Sequence, residues 1–337
     1  VAPSVRIAVG EHFQIPKGKN SFGKLVEALR IMGFDEIYDT NFAADLTVME
    51  ESAEFAERLS KGENLPLFTS CCPGWVKYCE NKYPEFAENL STCRSPQGMF
   101  SAVLKEYYKE RDEKEGKKTV IVSIMPCTAK KGEILRKDNY TDGLQDTDFV
   151  LTTTEVIRMI KQMGIQFDKI QGESADMPFS LASGGGAIFG VTGGVTEAVL
   201  RRLSDEKDYQ TLREISFTGV RGEEGIKEAV IEHGGREVHI AVVNGLANAG
   251  KLLDRIKAGE AAYDFVEVMA CKRGCIMGGG QPGPAGPRTK KRRMEGLYKV
   301  DQSSNIKSAD ENPAVQALYQ DFLKGKEHKL LHRTLHS

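Results

Sequence analysis

Apolar residues along the chain switch repeatedly between the alternating spacing of strands and the three-to-four spacing of helices. Val5-Arg-Ile-Ala-Val9 alternates and reads as a strand, and Lys24–Met32 has helical spacing. A second strand is expected over Glu36–Tyr38, followed by an amphipathic helix over Ala43–Leu59. Leu65-Pro-Leu-Phe68 reads as a short buried strand, and Val76–Lys82 as helical. The β-branched run Thr119–Ile124, then Val238–Val243 and Phe265–Met269, complete the strands. Strands alternating with helices predict an α/β class with mostly parallel sheets flanked by helices. Residues 283–311, rich in Pro, Gly, Lys and Ser, read as a linker. Asn312-Pro313 then opens a final amphipathic helix with Val315, Leu318, Tyr319 and Phe322 on one face.

At 337 residues the chain exceeds one ordinary core, so two packed lobes are expected. With 40% hydrophobic and 28% charged residues it has the balance of a globular protein. A net charge of −2 offers no overall field for phosphate, which argues against nucleic acid as a partner. No apolar run approaches the roughly 18 residues of a membrane span. The chain starts at Val1 inside an apparent strand, which reads as a trimmed or partial sequence whose targeting segment is out of view.

Five of the seven cysteines fall in three stretches, each at the carboxyl end of an expected strand. These are Thr69-Ser-Cys-Cys-Pro-Gly-Trp75, Met125-Pro-Cys-Thr-Ala-Lys-Lys-Gly-Glu133, and Met269-Ala-Cys-Lys-Arg-Gly-Cys-Ile-Met-Gly-Gly-Gly-Gln-Pro282. Ligands of open α/β sheets sit at strand carboxyl ends, so the pattern predicts a site where sheet ends converge between the lobes. Pro and Gly let the backbone approach a bulky inorganic group. An odd cysteine count with an adjacent pair is unlike a secreted disulfide scaffold and suits a reducing, cytoplasmic compartment. Cys79 and Cys93, outside the stretches, read as packing residues. Zinc sites favour Cys-x2-Cys pairs, whereas the spacings here are Cys-Cys and Cys-x3-Cys with no His nearby. A disulfide between Cys71 and Cys72 would be strained. Four thiolates around an iron–sulfur cluster fit better, leaving a fifth thiol over.

The three stretches resemble, in order, the signatures of the catalytic domain of FeFe hydrogenases: TSCCPGW, MPC-x2-K-x2-E, and MAC followed by GC-x-GGGQP. Here the third has the Cys-x3-Cys spacing. The resemblance extends over nearly the whole chain, including Ala2-Pro-Ser-Val-Arg6 and Asp39–Glu51. It implies two intertwined α/β lobes around a buried H-cluster: a 4Fe–4S cubane joined through a cysteine sulfur to a two-iron subsite with CO, cyanide and a dithiolate bridge. Residues 1–285 would form the cluster domain and 286–337 a small-subunit-like tail. The implied reaction is the reversible reduction of protons to H2. Ferredoxin, or iron–sulfur domains at the N-terminus or on a partner subunit, would exchange electrons, and maturation proteins would load the subsite.

By motif position, Cys72, Cys127 and Cys271 would ligate the cubane, and Cys275 would ligate it and bridge to the two-iron unit. Cys71 would relay protons, although the adjacent pair cannot be told apart from spacing alone. A thiol with an ordinary pKa near ~8.5 can pass a proton without holding a charge. Buried cyanide calls for a cation and hydrogen-bond donors. Lys130, with Glu133 as counter-ion, would meet that need, as would Ser4 beside Ala2 and Pro3. Met125 and Met269 would exclude water, with plain core packing as the equal alternative. Ser95 and Gln97 match positions lining the cluster.

Glu51, Glu54 and Arg58 share one helix face. Alone they would read as a solvated charge stripe. With the resemblance they imply a proton path from Cys71 through Glu51, Ser91 and Glu54 to Arg58. The alternatives are a Nar-type iron–sulfur assembly protein and an H2-sensing homologue. Both typically lack the relay thiol present here as Cys71.

Gly245-Leu-Ala-Asn-Ala-Gly-Lys-Leu252 nearly spells a phosphate loop, but Leu252 stands where Ser or Thr would hold Mg2+, so it reads as a strand–turn–helix join. Gly184-Gly-Gly and the glycines of 190–194 read as close packing. Lys290-Lys-Arg-Arg293 reads as a solvated basic turn, with docking of an acidic redox partner as the alternative.

Overall fold

The structure, a computed structural model, describes residues 1–204 and 225–333; the last four residues of the tail fall outside it. Two apolar cores form on two separate sheets. One sheet has strand order β1-β8-β7-β6, built from β1 (Leu67–Phe68), β6 (Ile226–His233), β7 (Arg236–Asn244) and β8 (Phe265–Met269). β1 and β7 run parallel to β8, and β6 pairs antiparallel to β7. The second sheet pairs β2 (Val122–Met125) in parallel with β5 (Phe149–Thr152). A small antiparallel pair, β3 (Tyr140–Thr141) and β4 (Leu144–Gln145), precedes β5.

Helices cover both sheets. In chain order they are α1 (Phe22–Ile31), α2 (Thr40–Lys61), α3 (Pro73–Lys82), α4 (Pro96–Glu115) and the single turn α5 (Lys130–Glu133). Next come α6 (Thr153–Gln162), α7 (Gly184–Ala187), α8 (Gly194–Leu203) and α9 (Leu246–Lys257). The tail holds α10 (Pro287–Ser303), α11 (Pro313–Ala317) and α12 (Glu327–Leu331).

Ile124, Met125 and Val150 of the smaller sheet pack with α1 and α6. Phe68, Val243, Val266 and Val268 of the larger sheet pack with Trp75 of α3 and with α9. Helix α2 joins the lobes, because Phe42, Phe55 and Ala44 belong to three different apolar clusters. Asp39 caps its start by accepting from the Asn41 N–H, and Gly62 (φ +67°) ends it in a left-handed turn.

Most expected elements form, with up to three residues' difference at their ends. Residues 5–9 do not make a strand: they run in turns into a 3-10 turn at Val9–His12. Their alternation carries no strand signal because Val5, Arg6, Ile7, Ala8 and Val9 are all buried. Hydrogen bonds from the Ala8 and Val9 N–H groups to the Val5 carbonyl replace a sheet ladder. Residues 36–38 likewise form no strand.

The expected linker at 283–311 is mostly helix α10, opened by Pro287 at its first position. Its inward stripe is Lys290, Arg293, Leu297 and Asp301, so charged residues occupy helical core positions. Lys290-Lys-Arg-Arg293 is therefore no solvated turn. Arg293 is fully buried and meets Glu11 through two bonds of 2.7 and 2.8 Å. It also donates to the carbonyls of Ile276 and Pro282, which ties the tail to the third cysteine stretch. Removing one partner of such a buried pair costs about 3–5 kcal/mol. The final helix starts at Asn312 as expected, then widens into a π-turn over Leu318–Phe322.

Candidate metal-cluster site

Three strand ends deliver the cysteines. β1 leads to Cys71 and to Cys72, which sits at the N-cap of α3. β2 leads to Cys127, and β8 to Cys271 and to Cys275 at the start of a 3-10 turn. The third stretch closes on the second: the Gly280 N–H donates to the Pro126 carbonyl at 2.9 Å. A Cβ on Gly278 would lie 2.3 Å from that same carbonyl, so only glycine lets the two loops meet.

The five stretch cysteines keep intermediate accessibility, whereas Cys79 and Cys93 are buried in packed core. Burial nevertheless raises the thiol pKa of Cys71 and Cys275 well above its usual value, and that of Cys271 to about 11. Cys275 lies within electrostatic range of Cys72, Cys271 and Cys127, so thiols from all three stretches are near one another. Among the described residues no three Cys, His, Asp or Glu side chains converge tightly enough for one metal ion. Zinc, with sulfur about 2.3 Å away, does not suit that spacing. A larger all-thiolate cluster does.

Lys130 and Glu133 stand on α5, one turn apart, and pair at 2.8 Å. The Lys130 ammonium also donates to the Cys71 carbonyl at 3.3 Å. Burial pulls its pKa down, but the charge and hydrogen bond of Glu133 outweigh this and raise it, so the buried cation persists. Glu133 further accepts from Ser95 Oγ at 3.0 Å and Gln97 Nε2 at 3.1 Å. The four side chains form one network, and Gln97 Oε1 is left buried without a partner.

Ala2, Pro3 and Ser4 are all buried. Ser4 Oγ donates to the Gly190 carbonyl at 3.5 Å, while its own carbonyl accepts from Gln281 Nε2 at 2.8 Å. Met269 packs among Cys71, Cys72 and Cys275. Met125 instead belongs to the core of the smaller lobe with Ala2.

The acidic groups of α2 separate into two environments. Glu54 takes Ser91 Oγ at 2.8 Å, Arg58 Nη2 at 2.6 Å, and the Thr92 N–H at 3.1 and 3.0 Å to its two oxygens. Arg58 continues outward to carbonyls of residues 88–90. Glu51 is fully buried, and neither of its carboxyl oxygens has a partner. Burial, reinforced by the Glu54 charge and only partly opposed by the nearby polar groups of Ser91 and Ser70, pushes its pKa up to about 8. Among the described residues no hydrogen bond of ordinary geometry joins Cys71 to Glu51 or Glu51 to Ser91, although the Ser91 hydroxyl and the Ser70 backbone lie near enough to act on the Glu51 carboxyl, so the series Cys71, Glu51, Ser91, Glu54, Arg58 is closed by hydrogen bonds only in its outer part.

A raised carboxyl pKa gives a definite pH dependence. Between about pH 5 and 8 the unfolded chain loses this proton while the folded chain keeps it, so the residue lowers stability as pH rises. In the cluster-free protein Glu51→Gln is expected to remove a slope of about 1.4 kcal/mol per pH unit over that window. Urea unfolding at several pH values checks this, and superimposable parent and variant slopes would contradict it.

Sequence reasoning missed Gln281 as a support, although it stands within the third stretch. It also missed Glu267 on β8, whose carboxylate caps α8 by accepting from Gly193, Thr196 and the Thr196 hydroxyl. Its position inside an apolar strand was the available signal. The near-phosphate loop is a strand–turn–helix join, with Leu252 in the core.

Residues 1–279 match the model of the iron-only hydrogenase large subunit, C-terminal domain, and 287–337 that of the iron hydrogenase small subunit. The chain belongs to the iron-only (FeFe) hydrogenase family. It is 42% identical to iron hydrogenase 1 of Clostridium pasteurianum over 98% of its own length and 59% of that protein. The periplasmic Fe hydrogenase large subunit of Nitratidesulfovibrio vulgaris is 46% identical over 88% of this chain and 72% of that protein. A solved FeFe-hydrogenase of Chlamydomonas reinhardtii superposes with a TM-score of 0.82 at 38% identity, covering 98% and 92% of the two chains. The chain thus spans about three fifths of the length of some of its relatives.

Proposed function

We propose that this chain holds an H-cluster and interconverts protons and H2. The observation that carries the reading is the proximity of four thiols delivered by three strand ends, with a fifth thiol beside them. The donor set is all sulfur and a persistent buried cation donates to the Cys71 carbonyl, so the residues fit the group. When bound, the H-cluster would supply the redox iron and the open site at which H2 forms or splits.

Cys72, Cys127, Cys271 and Cys275 would hold the cubane, Cys275 also reaching the two-iron unit. Lys130 would face the cyanide charge, held in place by Glu133, Ser95 and Gln97. Ser4, anchored through Gln281, would offer a hydroxyl from the opposite lobe. Met269 would keep water from the sulfurs. Cys71 stays protonated at neutral pH and can both give and take H+. Glu51 is neutral below about pH 8 and can do the same one step further out. Glu54, fixed by Ser91, Thr92 and Arg58, would complete the route to the surface. A small rotation of the unbonded Glu51 carboxyl would join the inner and outer parts, which an acceptor already locked in hydrogen bonds could not do.

Lys272 and Arg273, exposed between Cys271 and Cys275, are the cations closest in sequence to two ligands. An acidic ferredoxin or ferredoxin-like domain would dock there, because opposite charge speeds encounter. Joint replacement Lys272→Glu and Arg273→Glu is expected to slow electron delivery from such a donor about tenfold at low salt. The rate with a small dye donor should stay within about twofold. Equal losses with both donors would argue against docking here. The reading as a whole is tested by isotope exchange between H2 and D2O in the matured protein. HD formation is expected, and its absence from protein showing intact CO and cyanide infrared bands would overturn the function.

A further inference from the structure

The tail meets the outer proton path directly. Residues 331–333 pair antiparallel with 92–94: the Arg94 N–H donates to the Leu331 carbonyl at 2.8 Å, and the Arg333 N–H to the Thr92 carbonyl at 2.7 Å. The His332 ring fills the gap between this pair and α2. Its Nδ1 lies 2.9 Å from Thr92 Oγ1 and its Nε2 2.8 Å from Glu50 Oε2. The other Glu50 oxygen accepts from the Tyr319 hydroxyl, and His328 stacks on the outer face of the ring at 5.5 Å. Arg94 Nε grips the His332 carbonyl at 3.0 Å, and the Arg333 guanidinium donates to the Ser91 carbonyl. Ser91 and Thr92, which both donate to Glu54, are thus held from outside by the tail.

We propose that His332 is a positioning residue for proton transfer, locking Thr92 so that its N–H and the Ser91 hydroxyl stay aimed at Glu54. The proposal rests on the reading of Glu54 as part of the proton route. Its physical basis is that Thr92 is fixed at three points. The imidazole holds its hydroxyl, Arg333 holds its carbonyl, and Glu54 takes its N–H. With two points held, the direction of the N–H is set before a proton arrives, so Glu54 does not have to order its own donors during turnover. The small-subunit-like tail then has a task beyond covering apolar core: it forms the outer wall of the route.

The test compares His332→Ala with His332→Asn, whose side-chain oxygen can still accept from the Thr92 hydroxyl. In cluster-free protein, amide hydrogen exchange of residues 91–94 is expected to quicken about tenfold in His332→Ala. Peptides from β8 and α3 should be unchanged, and His332→Asn should restore most of the protection. In matured protein His332→Ala should lower kcat for H2 evolution by about tenfold and raise its D2O isotope effect. The KM for the electron donor, the iron content and the infrared bands should match the parent. Unchanged exchange at 91–94 overturns the proposal, and so does faster exchange with full turnover. Loss of iron together with turnover also overturns it, because His332 would then support the fold rather than the route. Should the parent evolve no H2, the functional reading fails, while the exchange comparison still decides whether His332 fixes Thr92.

Discussion

Cys71→Ala in the matured protein is expected to retain the parent's iron content and infrared bands while losing at least about a hundredfold in H2 evolution. The expectation follows from where the thiol stands. It is the cysteine that the proposed four-ligand set leaves over, it lies within electrostatic range of Cys72 and Cys275, and Glu51 is the charge that acts on it most strongly. Burial and the surrounding acidic groups keep it as SH at neutral pH. A carrier that is neutral at rest crosses a dry region at lower cost than one that must hold a charge there. Alanine leaves the four proposed ligands alone and would remove the thiol proposed to pass the proton from the centre to Glu51. Turnover within twofold of the parent would show that protons enter by another way. Loss of iron would show that Cys71 is a ligand and that the assignment of the adjacent pair is reversed.

Cys275→Ala is expected to abolish the CO and cyanide infrared bands after maturation and to leave little of the parent's iron bound. Cys275 is in electrostatic reach of the other three ligands, and it also packs with Cys71 and Met269. Cys72 shares both neighbourhoods, so the bridging role proposed for Cys275 follows from its place as the last cysteine of the third stretch. Gly274 (φ +74°) turns the backbone into this position, and a Cβ there would press on Thr192. Metal binding also contributes folding energy. The variant should therefore melt below the matured parent but alongside the cluster-free parent. Unchanged infrared bands would refute the bridging role.

Much of this was legible in the order of residues. Each cysteine stretch follows an apolar strand, and strand ends are where open sheets place ligands, so convergence of the sulfurs could be expected before any coordinates. Helix α2 announced itself by its spacing. The failures share one cause, which is that patterns of polarity lose meaning where polar groups are buried in pairs. Residues 283–311 looked like a linker because Lys290, Arg293 and Asp301 occupy core positions of α10. Arg293 can do so only because Glu11, 282 residues away, neutralises it. Val5 to Val9 alternated like a strand, yet both faces are buried and the chain coils into turns. The isolation of Glu51, and the grip of His332 on Thr92, depend on contacts between distant segments that no local pattern encodes.

Cys72, Cys127, Cys271 and Cys275 are proposed to grip one multi-iron cluster jointly. Iron and sulfide analysis of the chain after anaerobic reconstitution, before any maturation protein is added, tests it most directly. Roughly four irons and four sulfides per chain are predicted, falling to background when Cys127 and Cys271 are both replaced by Ala. Stoichiometric zinc in place of iron, or iron retention in that double variant, would contradict it.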